Sequence, residues 1–256
     1  MAEKRRILIT NDDGYFADGI KALFDELARK NDVYMVAPDR EQSASSHSLT
    51  LTQPLRMHKL DERHYFTDGT PTDCVMLALH LVLKKRYPDF IISGINHGAN
   101  MGDDVTYSGT VAAAIEGAIL RIPSIAVSMA EYSVGMPMVR AAKFVSRLLE
   151  LYPTLGLPEA TFLNVNVPPD NGRPYRRYQF TSQGNREYKD VVIRKNDPRG
   201  RDYYWIGGHP RWKRQKGTDF VAVKSGFVSI SPMKLDFTDA VALGRLRSHP
   251  DRFCQG

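Results

Sequence analysis

Two adjacent carboxylates, Asp12 and Asp13, follow the β-prone run Ile7 to Thr10 and are closed by Gly14. Side by side they repel each other unless a cation lies between them or solvent screens them. A helical pattern follows, not a second strand, so residues 11–14 read as a strand-to-helix loop. Either a hard divalent cation sits there, or the loop is a plain turn of Asn, Asp and Gly. Three further loops carry compatible groups. Residues 43–48 hold four serines and His47, offering hydroxyl ligands and phosphate donors, although a serine-rich surface loop has the same composition. Asn96, in the glycine-interrupted stretch 93–100, offers a hard carboxamide oxygen that suits Mg²⁺ or Mn²⁺ more than zinc. Ser108, Gly109 and Thr110 lead into an alanine-rich helical stretch whose start is either an anion site or an ordinary N-cap.

Together these groups point to metal-assisted attack of water on a phosphate ester, with Asp12, Asp13 and Asn96 as the catalytic candidates. Asn11, the hydroxyls of residues 43–48, His47, Ser108 and Thr110 are the candidates for holding the substrate. A covalent aspartyl intermediate is disfavoured, because Gly14 follows the acid pair and removes the two-residue acid spacing of aspartyl-phosphate phosphatases. His97 lies in a site loop and could bind phosphate or shuttle protons, although a structural or surface histidine is the commoner reading. Asp103 and Asp104 read as a turn beside the site.

The elements that must position these loops alternate between strand and helix. Ile20, Leu23, Phe24 and Leu27 recur at helical spacing, and Val33 to Ala37 is a strand stopped by Pro38. Thr70, Pro71 and Asp73 form a helix-start signature. Residues 90–92, 124–128 and 162–167 read as strands, and 110–120 and 139–151 as helices. This alternation predicts an α/β fold, a Rossmann-like three-layer, mostly parallel sheet. Ligands then sit beyond the carboxyl ends of the strands, where the four candidate loops fall. Residues 1–170 are expected to form the catalytic core and 171–217 an extended C-terminal β-hairpin lobe or arm. Residues 218–256 would complete core and oligomer, with 220–231 as a strand and 239–246 as a short helix.

The composition of 256 residues, 42% hydrophobic and 25% charged, excludes disorder, collagen and coiled coil. Cys74 and Cys254 are too few for a disulfide framework or a thiolate zinc site, which fits a reducing cytoplasm. The basic start MAEKRR lacks the apolar core of a signal peptide, and no run approaches the ~18 apolar residues of a membrane span. The expectation is a cytoplasmic protein with no membrane partner. Net charge is +6, but residues 171–217 hold 13 Lys and Arg against 4 Asp and Glu, so that segment is +9 and the rest −3. Its Tyr175, Tyr178, Tyr188, Tyr203, Tyr204, Trp205 and Trp212 could stack bases in a nucleic-acid or polyanion binder. The favoured reading is an oligomerisation arm with aromatics buried between subunits. A receiver-like signalling module is disfavoured, since the later strand ends offer Ser93 and Ser128 where an acceptor aspartate and a lysine are needed. P-loop, GxGxxG and GxSxG patterns are absent from the sequence.

The stretches ILITNDDG (7–14), VAPDREQSASSHSLT (36–50), SGINHGAN (93–100), DVTYSGTVAAAIEG (104–117) and GTDFVAVKSGFVSISP (217–232) resemble, in order and spacing, the SurE family of 5′/3′-nucleotidases. The resemblance implies one divalent metal ion per subunit, Mg²⁺ or Mn²⁺, on Asp12, Asp13, Ser43 and Asn96, with Ser108, Gly109 and Thr110 lining the phosphate site. It also implies hydrolysis of nucleoside 5′- and 3′-monophosphates, exopolyphosphatase activity in some members, and a homodimer or homotetramer built by exchanged C-terminal elements. Two departures bear on loop flexibility: Ala44-Ser45-Ser46 lacks a glycine usual in that loop, and Ala112-Ala113 replaces a glycine-containing pair.

Overall fold

The computed structural model describes residues 4–84, 86–133, 135–169, 177–189, 192–206 and 209–248. Tyr175 and Cys254, considered above, lie outside the described residues. The core elements run β1 (Arg6–Thr10), α1 (Asp18–Leu27), β2 (Asp32–Pro38), β3 (Met57–Lys59), β4 (His64–Thr67), α2 (Pro71–Leu77), β5 (Phe90–His97), α3 (Gly109–Ile119), β6 (Ser124–Met129), α4 (Val139–Leu151) and β7 (Thr161–Val167). Then come β8 (Tyr178–Phe180), β9 (Arg186–Lys189), β10 (Val192–Asn196), β11 (Asp202–Ile206), β12 (His209–Trp212), α5 (Asp219–Lys224), β13 (Val228–Lys234) and α6 (Ala240–Arg247).

A nine-stranded sheet in the order β3-β4-β2-β1-β5-β6-β7-β13-β8 forms the middle layer. The strands from β4 to β7 are mutually parallel; β3 closes one edge antiparallel to β4, and β13 runs antiparallel to β7. Alternation along β1 explains the layering, since successive side chains leave opposite faces. Ile7 and Ile9 pack with Ile20, Leu23 and Leu27 of α1 and with Val145 and Leu148 of α4. Leu8 packs with Val75 of α2 and Ala113 of α3 on the other face. The three-layer α/β architecture is as the sequence implies, and α2 begins with the capping box of Thr70 and Asp73. Among the described residues no helix is long and apolar enough to cross a membrane.

One element differs from the sequence reading. Residues 220–231 are not one strand, because α5 occupies Asp219–Lys224 before β13 begins at Val228. The run Phe-Val-Ala-Val is apolar at every position, so it has no period-2 signal. Asp219 places a carboxylate in the first turn of the helix, where it accepts the free Phe220 N–H at 2.7 Å, and Gly226 at φ +79° turns the chain out after the helix. In the arm, β10 pairs with β11 and β12 with β9, both antiparallel, as expected of hairpin material.

Candidate active site

From β1 the chain runs through α1 to β2 on one side of β1, and it later returns to place β5 on the other. The carboxyl ends of β1 and β5 therefore flank the point where strand order reverses, which is where open α/β sheets form a crevice. Asn11, Asp12 and Asp13 leave the end of β1, and Asn96 and His97 form the end of β5. Pairing of β5 with β6 shifts register between Ser93 and Asn96, a bulge of the kind that re-aims side chains next to a site.

Asp12 is buried. Its carboxylate accepts hydrogen bonds from the Thr110 hydroxyl and from the Thr110 N–H, and its carbonyl accepts the Gln42 N–H at 2.7 Å. The first turn of α3 and the serine-rich loop are thus both tied to one aspartate. Burial pushes the Asp12 carboxyl above its ordinary range, against the lowering effect of the Thr110 bonds. Burial also pushes Asp13 up to about 7, with the neighbouring charges of Asp12 and Glu41 adding to it. Asp13 accepts the His97 N–H at 3.2 Å, and the His97 ring Nδ1 lies 3.4 Å from its other oxygen. The His97 ring stacks on Tyr132 with centroids 3.8 Å apart. Burial holds that imidazole below its usual pKa, and its Nε2 is buried with no hydrogen-bond partner.

The remaining candidates fall into two groups. Asn11 donates to the Gly14 carbonyl at 2.9 Å and leaves its own Oδ1 buried without a partner. Asn96 donates to the Gly98 carbonyl at 2.9 Å, which fixes the carboxamide and leaves its oxygen as the acceptor end. Gly109 lies against Asp12 and the Ser45 hydroxyl. Ser43, by contrast, is exposed and donates to Glu41 Oε1 at 2.6 Å. The Ser108 hydroxyl caps α3 by accepting the Val111 N–H at 3.1 Å, and His47 Nε2 lies 2.8 Å from Glu116 Oε2. These two side chains hold local structure, and the hydroxyls of Ser108 and Thr110 are already engaged within the chain.

Two residues escaped the sequence reading. Ser45 has its Oγ buried and without a partner at the Gly109–Asp12 contact; four serines in one loop give no local sign of which turns inward. Buried Glu116 reaches the loop from the middle of α3, through a contact 69 residues apart in sequence.

Among the described residues no group of three His, Cys, Asp or Glu is poised to hold an ion. The site offers two carboxylates and neutral oxygens, which suits a hard cation that keeps several waters and shares its shell with phosphate. The fit is favourable: two adjacent carboxyls pushed upward, orphaned Asn11 Oδ1 and Ser45 Oγ, and a glycine where a methyl would intrude.

Comparison with known proteins gives concordant results. A family model described as "Survival protein SurE" matches residues 7–190. The "5'-nucleotidase SurE" of Geobacter metallireducens is 47% identical over 244 residues, covering 95% of this chain and 96% of that protein. That of Pelobacter propionicus is 50% identical over 238 residues, covering 93% and 96%. The crystal structure of the SurE protein from Aquifex aeolicus superposes with a TM-score of 0.85 at 41% identity, covering 96% of this chain and all of that one.

Proposed function

Because the chain belongs to the SurE family, we propose that it is a metal-dependent phosphomonoesterase that hydrolyses nucleoside monophosphates to nucleoside and phosphate. The observation that carries the reading is the pair of adjacent, desolvated carboxylates at the sheet's reversal point, bordered by the start of α3 and a hydroxyl-rich loop. Asp12, Asp13 and the Asn96 oxygen would hold one Mg²⁺ or Mn²⁺ ion; Ser43 joins them only if its hydroxyl leaves Glu41. When bound, such an ion supplies neutralisation of phosphate charge and acidification of water.

The chain's own residues supply the rest. Thr110 fixes the Asp12 carboxylate, and the His97 N–H fixes that of Asp13. The positive end of α3 lowers the cost of an anion beside it, and Gly109, lacking a side chain, lets the Asp12 carboxylate and the Ser45 hydroxyl stand close against the helix start. The Ser45 hydroxyl, without a partner of its own, donates to a phosphoryl oxygen there. His47, held by Glu116, keeps the serine-rich loop over the crevice.

In this reading both 5′- and 3′-monophosphates are substrates and short polyphosphate is an additional one. The protein works in the cytoplasm as a homodimer or homotetramer, with residues 171–217 as the contacting arm. The exposed Tyr204 and Trp205 of β11 leave an apolar surface that another copy would cover. The experiment is phosphate release from AMP, 3′-AMP and polyphosphate with Mg²⁺ or Mn²⁺. Chelation is expected to abolish release and metal to restore it, with Asp12→Asn inactive but folded. Undiminished hydrolysis by Asp12→Asn would overturn the assignment.

A further inference from the structure

The root of the arm is fastened to the segment that delivers the start of α3. Residues Gly102–Thr106 form a short 3-10 helix that leads, through Tyr107, into the Ser108 cap. On one side this segment carries the serine-rich loop: the Tyr107 carbonyl accepts the Ser46 N–H at 3.1 Å and the Thr106 carbonyl accepts the Ser46 hydroxyl at 2.8 Å. On its other side it is gripped by the arm. The Arg186 guanidinium pairs with the Asp104 carboxylate, and the Arg186 N–H donates to Asp103 Oδ2 at 3.0 Å. Gln183 Nε2 donates to the Gly102 carbonyl at 2.9 Å. Behind them the Asp219 carboxylate accepts the N–H groups of Gly102 at 2.9 Å and Gly184 at 3.0 Å, joining α5, the arm root and the segment.

The grip is packed as well as bonded. The Arg186 guanidinium lies 5.2 Å from the centroid of the Trp212 ring, and Trp212 stacks on Phe220 with centroids 4.6 Å apart and planes 11° from parallel. A methyl group on Gly102 would meet the Trp212 ring at 2.8 Å, so ring and segment are in direct contact. The side chains of Arg186 and Asp104 are each 17% exposed, which separates this pair from the freely solvated pairs that contribute little.

We propose that Arg186 is a positioning residue for the reaction: through Asp103 and Asp104 it holds residues 102–107, and with them the anion-binding start of α3 and the serine-rich loop, in register with the carboxylates. The inference rests on the reading of this site as one that binds a phosphoryl group. It gives the arm a task in the chemistry of its own chain, distinct from that of the sheet, since the backbone of Asp12 and Asp13 follows β1 directly.

The test separates the two halves of the site. Calorimetric titration of the full-length protein with Mn²⁺, and of the Mn²⁺-loaded protein with orthophosphate, is compared for wild type, Arg186→Ala and the charge swap Arg186→Asp with Asp104→Arg. Arg186→Ala is expected to weaken phosphate binding about tenfold and to lower kcat/KM for AMP by a similar factor or more, as small misplacements of positioning groups do. Mn²⁺ affinity should stay within about twofold, because no ligand is touched. The charge swap should recover much of the loss. If Arg186→Ala does not fold, Trp212→Leu, which removes the stack but leaves the ion pair, should shift phosphate affinity in the same direction. Unchanged phosphate affinity in a folded variant overturns the proposal, as does an equal loss of Mn²⁺ affinity. A wild-type protein that binds orthophosphate through an Arg186-dependent site yet releases none from any nucleotide would instead refute the nucleotidase reading alone.

Discussion

Substitution Gly109→Ala tests the crevice with a single methyl group. That methyl would stand 2.7 Å from Ser45 Oγ, 2.9 Å from Asp12 Cβ and 3.1 Å from Asp12 Oδ2. Comfortable contact begins near about 3.5 Å. Ser45 can rotate away, but Asp12 is held by Thr110 through its carboxylate and by Gln42 through its carbonyl. The start of α3 must therefore withdraw by about half an ångström. Overpacking of this kind costs about 1–3 kcal/mol, offset in part by the gain of about 0.5–1 kcal/mol when alanine replaces glycine in a helix. A net cost of about 0–2.5 kcal/mol lowers the melting temperature by up to about 10 °C in a chain of this size. The chemistry should suffer far more, by about 100-fold in kcat/KM, because the displaced turn carries the proposed anion-binding groups. Steady-state hydrolysis of AMP and a thermal melt decide it. Gly244→Ala in α6, where nothing lies within 4 Å of the added methyl, serves as the comparison and should alter neither quantity adversely. A folded Gly109→Ala enzyme with kcat/KM within twofold of wild type would refute the account of the crevice.

Two further outcomes follow from buried carboxylates away from the proposed metal ligands. Burial raises the Asp219 pKa, with the charge of Asp103 adding to it, while three backbone N–H groups pull it down. A raised folded-state pKa makes the native state hold its proton longer than the unfolded chain, so stability falls as pH rises from the ordinary value of 3.8 through the folded value. Urea unfolding at pH 4 and pH 7 should show wild type losing stability relative to Asp219→Asn over that interval; a constant or widening advantage contradicts it. Glu116→Gln keeps the shape of the buried side chain but weakens its bond to His47. It should raise KM for nucleotides about two- to tenfold, the scale of one net hydrogen bond of about 0.5–1.5 kcal/mol, with little change in Mn²⁺ affinity by calorimetry. An unaltered KM would detach His47 from substrate binding.

The layered core was legible because its signals are local. The alternation at Ile7, Leu8 and Ile9, the helical spacing from Ile20 to Leu27 and the Thr70–Asp73 capping box each need only a few neighbouring residues to declare a strand, a helix or a helix start. The clustering of Asp12, Asp13, Asn96 and Thr110 also follows, because a parallel sheet brings loops at like ends of its strands together. What stayed hidden depends on partners distant in sequence. Nothing near Arg186 announces Asp104, and nothing near His47 announces Glu116. The helix at Asp219–Lys224 was hidden because its uniformly apolar run fits either structure, and its carboxylate is braced by N–H groups from Gly102 and Gly184.

The central claim is that the carboxylates beyond β1 hold a hard dication beside the start of α3. Crystals grown with Mn²⁺ and orthophosphate, measured for anomalous scattering, test it most directly. The account predicts one strong peak per chain within about 2.3 Å of oxygens from Asp12, Asp13 and Asn96, with the phosphate between that peak and Gly109. A fully active protein whose crystals show no peak between those side chains, or a peak bound elsewhere, would contradict it.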